Sequence, residues 1–143
     1  MSLTLRQAEL IASGTLAFAR ANDVSPLAVS ILDAGGQMVV FKREDGASLY
    51  RGDIATAKAR GALGMGFNTR GIAEKAKNNP VFFSSLTAIS GIDLALSPGG
   101  NLIKDHHGKL LGAIGISGDT GDVDEQCAIA GIDAFNQSME TQS

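Results

Sequence analysis

An apolar strand with a glycine at every third position, running straight into an acidic helix start, constrains this chain more than any other feature. From Leu110 to Ala130 it reads L-L-G-A-I-G-I-S-G-D-T-G-D-V-D-E-Q-C-A-I-A, with Gly112, Gly115, Gly118 and Gly121 as the recurring small positions. Such a strand presents bare backbone, and a helix N-terminus directly behind it adds unpaired N–H donors, so the segment predicts a pocket in which backbone approaches a ligand closely. The same glycines also suit a simpler purpose, letting the last helix lie flat on the sheet. A phosphate cradle is not expected: the run lacks a Lys-Ser/Thr ending, and the acids after it repel phosphate.

Local signals divide the rest of the chain. Thr4 and Gln7 form a capping box, with Leu3 positioned to staple onto Ala8, and Ala8, Ile11, Ala12, Leu16 and Ala19 recur at helical spacing, which predicts helix 5–21. Leu27–Leu32 and Met38–Phe41 read as strands joined by Asp33-Ala34-Gly35-Gly36, a hairpin. An alanine-rich helix follows over 53–65, then a short amphipathic helix over 69–77 and a partly helical stretch from Asn78-Asn79-Pro80 to Leu86. Three strands are expected at 93–96, 102–104 and 109–117, the last two joined by Asp105-His106-His107-Gly108. Thr120 caps a closing helix over 121–139, with Asp122, Asp124 and Glu125 complementing its dipole. This order gives an α/β (α+β) domain spanning 1–143, with five strands, mostly antiparallel, and helices packed against them.

Composition narrows the function. A length of 143 residues suffices for one core without covalent staples, and the single cysteine, Cys127, allows no internal disulfide. The first residues lack a basic segment leading into a long apolar run, which predicts a cytoplasmic protein with a reduced thiol. A net charge of −3 with mixed signs argues against a nucleic-acid footprint, and no window offers the roughly 20 apolar residues of a membrane span. Eighteen glycines, no tryptophan and 5% aromatics leave little bulk for a core, so part of the burial is expected between copies, in a homo-oligomer.

Four segments in order carry a resemblance to a known family. G-A-I-G-I-S-G followed by D-x-D-E, Asp53–Ala59 (D-I-A-T-A-K-A), Lys42–Ala47 (K-R-E-D-G-A) and the Asp33–Gly36 turn are similar to those of the GlcG/HbpS/PduO-C family of haem-degrading and haem-binding domains, over roughly residues 4–135. The resemblance implies a profilin-like sandwich and a small-molecule ligand, with haem or another tetrapyrrole as the candidate and glycolate or diol and glycerol metabolism as a setting. It also falls on Lys58, Asp124 and Glu125.

Lys58, set among alanines, is either a ligand-anchoring or acid/base group or a lysine snorkelling at a helix rim. Asp124 and Glu125 point about 100° apart on a helix, so they do not act as a pair; one complements the dipole and the other is a candidate to reach the pocket. Asp122 and Glu125, at i and i+3, would hold a cation only weakly, and no metal site is assigned. The expected ligand site is therefore a cleft between the glycine strand and helix 53–65, lined by Gly115, Ser117, Gly118 and Asp124, reached by Lys58, with Asp53 or Glu125 nearby. An alternative is an enzyme moving a proton on a small carbonyl or hydroxy-acid metabolite with Lys58, Asp53 and Glu125. For haem iron, the residues select no axial ligand: helix 5–21 has no histidine, His106 and His107 lie in a turn, and Tyr50, Met65 or a histidine of a neighbouring subunit are substitutes. Cys127, lacking a basic neighbour, reads as a small buried hydrophobe.

Overall fold

The computed structural model describes residues 2–141. Thr4 caps α1 (Leu5–Ala21) with the expected reciprocal bonds to Gln7. Then come β1 (Ala28–Asp33), β2 (Met38–Arg43), α2 (Arg51–Met65), α3 (Thr69–Asn78), α4 (Pro80–Leu86), β3 (Gly100–Lys104), β4 (Leu110–Ser117) and α5 (Gly121–Thr141). Thr120 caps α5, its hydroxyl accepting from the Val123 N–H.

The sheet is antiparallel, in the order β2-β1-β4-β3. Alternation along the strands separates two faces. Val29, Ile31, Val40, Ile103, Ile114 and Ile116 join Ile11 and Ala12 of α1 and Cys127, Ala128 and Phe135 of α5 in the main core. Leu32 and Ala113, on the opposite face, pack against Ala59 and Ala62 of α2. Helix pair, sheet and α2 thus form three layers.

Among the described residues four strands form, not five. The segment expected as a strand at 93–96 lies over α2 instead: Leu94 packs with Ile72, Ala76 and Phe83 of α3 and α4, and Arg60 of α2 holds Asp93 at 2.9 Å. Two donors on the edge of β3 are already taken, because the Gly100 and Leu102 N–H groups donate to Thr69 Oγ1 and Asn68 Oδ1, each at 2.8 Å. Side chains at the start of α3 thereby close the sheet.

Both hairpin turns have the same construction. Asp33 Oδ1 accepts from the Gly35 and Gln37 N–H groups, and Asp105 Oδ1 accepts from His107 and Lys109. The fourth residue of each, Gly36 or Gly108, has a positive φ of 83° or 81°, where a side chain would be strained.

Candidate functional site

Lys58 lies on the stripe of α2 that faces the sheet, with Ala55, Ala59 and Ala62 at i−3, i+1 and i+4. Its ammonium is enclosed: the residue is 2% exposed, and Nζ donates to the Ile116 carbonyl at 2.8 Å and to Asp124 Oδ2 at 3.1 Å. The other carboxylate oxygen of Asp124 accepts from the Asp119 N–H at 2.9 Å. Asp124 points inward because it shares its helix face with Cys127 and Ala128, at i+3 and i+4, both buried. The pair therefore bridges α2, β4 and α5, and joins the helix layers on opposite sides of the sheet. Burial pushes the Lys58 ammonium down and the Asp124 carboxyl up, each against the attraction of the other.

Five residues singled out in the sequence, Lys58, Asp124, Gly115, Ser117 and Gly118, do meet around the Ile116 carbonyl. What they enclose is packed. A Cβ at Gly115 would stand 1.8 Å from the Ala55 carbonyl oxygen, and one at Gly118 2.3 Å from that of Pro26. Ser117 is fully buried, its hydroxyl accepting from Arg51 Nη1 at 3.2 Å, and Gly99 closes over Lys58 Nζ. Glycine here brings backbone against backbone, so the expected cleft is filled by α2 itself.

The two remaining acids sit elsewhere. Asp53 is exposed on α2, and Glu125 turns outward, where Arg70 of α3 holds it and Asp122 together. Arg70 thus engages the D-x-x-E pair. Lys58 with Asp53 or Glu125 is not a proton-transfer arrangement in this fold, since the partner of Lys58 is Asp124 and solvent reaches neither. Cys127 is buried, and its thiol is pushed up to about 11 by desolvation first and by Asp124 next, which makes it a poor nucleophile.

Open space occurs at the other end of the sheet. A cavity of about 600 Å³ lies between the start of α1, the β3–β4 hairpin and the last turns of α5, and that volume suits a small organic ligand. The chain folds this way locally because the Leu3 N–H donates to the Leu111 carbonyl at 3.1 Å, which brings Thr4 and Gln7 beside β4. Leu111, Phe135 and Met139 give the cavity an apolar floor; Lys104, His106 and Lys109 give it a basic rim. Asp105 also lines it, but its carboxylate is turned into the hairpin and held below the usual carboxylate range by backbone N–H donors, first that of Lys109.

Sequence reasoning noted His106 and His107 only as turn residues and passed over Lys104, Lys109, Phe135 and Met139. One signal was available: Lys104 and Lys109 flank an Asp-x-x-Gly turn, which places them at one end of adjacent strands.

Comparison with known proteins matches this architecture. A family model described as haem degrading protein, HbpS-like, matches residues 3–133. A Citrobacter freundii relative, an uncharacterized 15.0 kDa protein in the dhaT-dhaS intergenic region, is 29% identical over 137 residues, covering 95% of this chain and 94% of the relative. Among solved structures, a doubly substituted HbpS of Streptomyces reticuli is 29% identical with a TM-score of 0.80, covering 93% of this chain and 86% of that one. The complex of PduOC with haem is 25% identical with a TM-score of 0.83, covering 94% and 95%.

Proposed function

The chain belongs to the HbpS-like family of haem-degrading proteins, and from that premise we propose that it is a small-ligand-binding protein whose ligand is haem or a related tetrapyrrole, taken up at the cavity beside the β3–β4 hairpin. The observation that carries the reading is the combination of groups around that cavity. A tetrapyrrole needs an apolar bed for its ring, cations for its carboxylates and a donor atom for its metal. Leu111, Phe135 and Met139 supply the first, Lys104 and Lys109 the second, and His106 the third.

The residues of the chain divide the work. Phe135, 2% exposed, anchors the floor from α5, while Leu111 fixes it from the sheet. Asp105 holds the turn that carries His106, through the His107 and Lys109 N–H groups. The His106 and His107 rings lie with centroids 4.0 Å apart, too close to admit a flat macrocycle between them, so ligation by one histidine is favoured over ligation by both. Bound haem would supply a redox-active iron.

Titration with hemin, followed by absorbance, tests the reading. A saturable one-to-one spectral change without the sharp low-spin signature of two histidines is expected, and it should diminish in His106→Ala. The absence of any saturable change at micromolar hemin would overturn it.

A homo-oligomer is part of the same proposal. Leu49, Tyr50, Val81 and Phe82 are more than half exposed, and apolar surface of this kind supports burial between copies. Sedimentation at micromolar concentration should give a mass above that of the monomer. The metabolic setting, glycolate or diol and glycerol breakdown, remains an expectation from resemblance; the relative lying between dhaT and dhaS supports looking there first.

A further inference from the structure

We propose that Lys104 and Lys109 are the specificity-determining residues of the cavity, and that its ligand class is an extended apolar molecule with two carboxylates on one edge, bound with or without a metal. This rests on reading that cavity as the ligand site, and it moves recognition from the iron to the acid groups.

The lysines of the chain differ in whether they have partners. There are six. Lys42 pairs with Glu9, Lys58 with Asp124 and Lys77 with Glu74, while Lys75 lies 4.9 Å over the Phe67 ring. Among the described residues, Lys104 and Lys109 alone lack a hydrogen-bonding, ionic or aromatic partner, and both line the same cavity. Their placement is fixed by the hairpin: Lys104 ends β3, Lys109 leads into β4, and the Asp105 N–H donates to the Lys109 carbonyl at 2.9 Å, so the ammonium groups leave neighbouring strands at one end of the sheet.

Among the described residues of the lining, one other group bears on them. Asp105, the sole carboxylate of the lining among the described residues, has Oδ1 tied by two backbone N–H donors into its own turn and forms no ion pair with either lysine. The first turn of α1, which contributes Thr4 and Gln7, contains no acid, so the positive end of its dipole adds to the rim. Asn136 offers an amide donor at the edge of the floor. Two free cations above an apolar bed of Leu111, Phe135 and Met139 match a molecule whose acids lie together on the margin of a large apolar body.

The test uses the full chain and metal-free protoporphyrin IX, read by its fluorescence, beside its dimethyl ester, with hemin titrated in parallel by absorbance. The diacid should bind saturably and the ester about tenfold more weakly, the change two surface ion pairs reach together. The double change Lys104→Gln and Lys109→Gln should weaken the diacid by about tenfold and leave the ester unaltered; Lys75→Gln with Lys77→Gln, away from the cavity, should alter neither. Both lysine positions are exposed, and circular dichroism verifies that the variants fold. Equal binding of ester and diacid, or diacid binding indifferent to the lysines, overturns the inference. Hemin binding that ignores Lys104 and Lys109 overturns it while sparing the haem reading; diacid binding through the lysines without hemin binding bears it out and overturns haem, and metal ligation by His106, as the function of the cavity. Failure of all three ligands overturns both.

Discussion

On one face of the sheet Val29, Ile31, Ile103, Ile114 and Ile116 offer branched aliphatic chains to α1 and α5; on the other, apart from Leu32, the small residues Ala28, Ser30, Ala113, Gly115 and Ser117 face α2. Each methylene buried contributes about 0.8 kcal/mol, so an isoleucine contributes far more than an alanine or glycine in the same place. The α2 face compensates by proximity and by polar links. Its backbone touches the backbone of β4 at Gly115 and of β3 at Gly100, Thr56 donates to Ser30 at 3.0 Å, and Lys58 reaches beyond the sheet to Asp124. An aliphatic interface adjusts by changing rotamers, whereas backbone against backbone has no soft coordinate to adjust. The two faces should therefore tolerate substitution very unequally.

Gly115→Ala should have the largest effect. Its new Cβ falls on the Ala55 carbonyl oxygen, α2 must lift from the sheet, and a loss of about 5 kcal/mol or more removes most of the stability of an ordinary domain. Urea unfolding that keeps the parent midpoint would show that α2 can lift from Gly115 without cost. Asp124→Ala comes next, at about 3 kcal/mol, because it strands a buried ammonium and frees the Asp119 N–H. Adding Lys58→Met should restore much of that loss, and a double-mutant cycle in denaturant measures the recovery.

Ile114→Val, one residue from Gly115 but on the aliphatic face, should cost about 1 kcal/mol, since its neighbours can close around the missing methyl. The smallest effect is one of sign, read from urea midpoints at acid, neutral and alkaline pH. With its carboxyl raised, folded Asp124 holds a proton more tightly than the unfolded chain does, so its contribution is fully present below the ordinary carboxylate value, about 3.9, and is lost as pH climbs through the raised one. Lys58, lowered, contributes stability above its ordinary value, about 10.4, which is lost as pH falls through the lowered one. Replacing both by Lys58→Met and Asp124→Leu should steepen the loss of stability in acid and abolish the gain in alkali. Asp119 behaves oppositely to Asp124: held low first by the Ser25 N–H, it contributes stability that acid removes.

Much of the candidate chemistry was legible once helical spacing was followed strictly. Ala55, Lys58, Ala59 and Ala62 form one stripe on α2, and Asp124 falls on the stripe of Cys127 and Ala128, so each group could be assigned an inward face. Their pairing could not, because it joins positions 66 apart and depends on how closely α2 settles on the sheet. The glycines signalled close approach correctly but not its object, since a backbone hydrogen-bonding edge that admits a ligand equally admits a helix. The cavity was less legible still: Thr4, His106 and Phe135 share no local pattern.

The sequence alone determined what operates within a few residues: the Thr4–Gln7 box that starts α1, the two Asp-x-x-Gly turns that close the hairpins, the hydroxyl of Thr120 that starts α5, and the alternation that gives the sheet its aliphatic face. Only the tertiary structure decided that Asn68 and Thr69 would consume the edge of β3 and leave the segment near Leu94 without a strand to join, that Asp124 would hold Lys58, and that three distant segments would leave a basic, apolar-floored cavity. Caps and turns are settled by hydrogen bonds that a short peptide already contains, whereas edges, buried pairs and cavities depend on which surfaces meet after the chain has closed long loops.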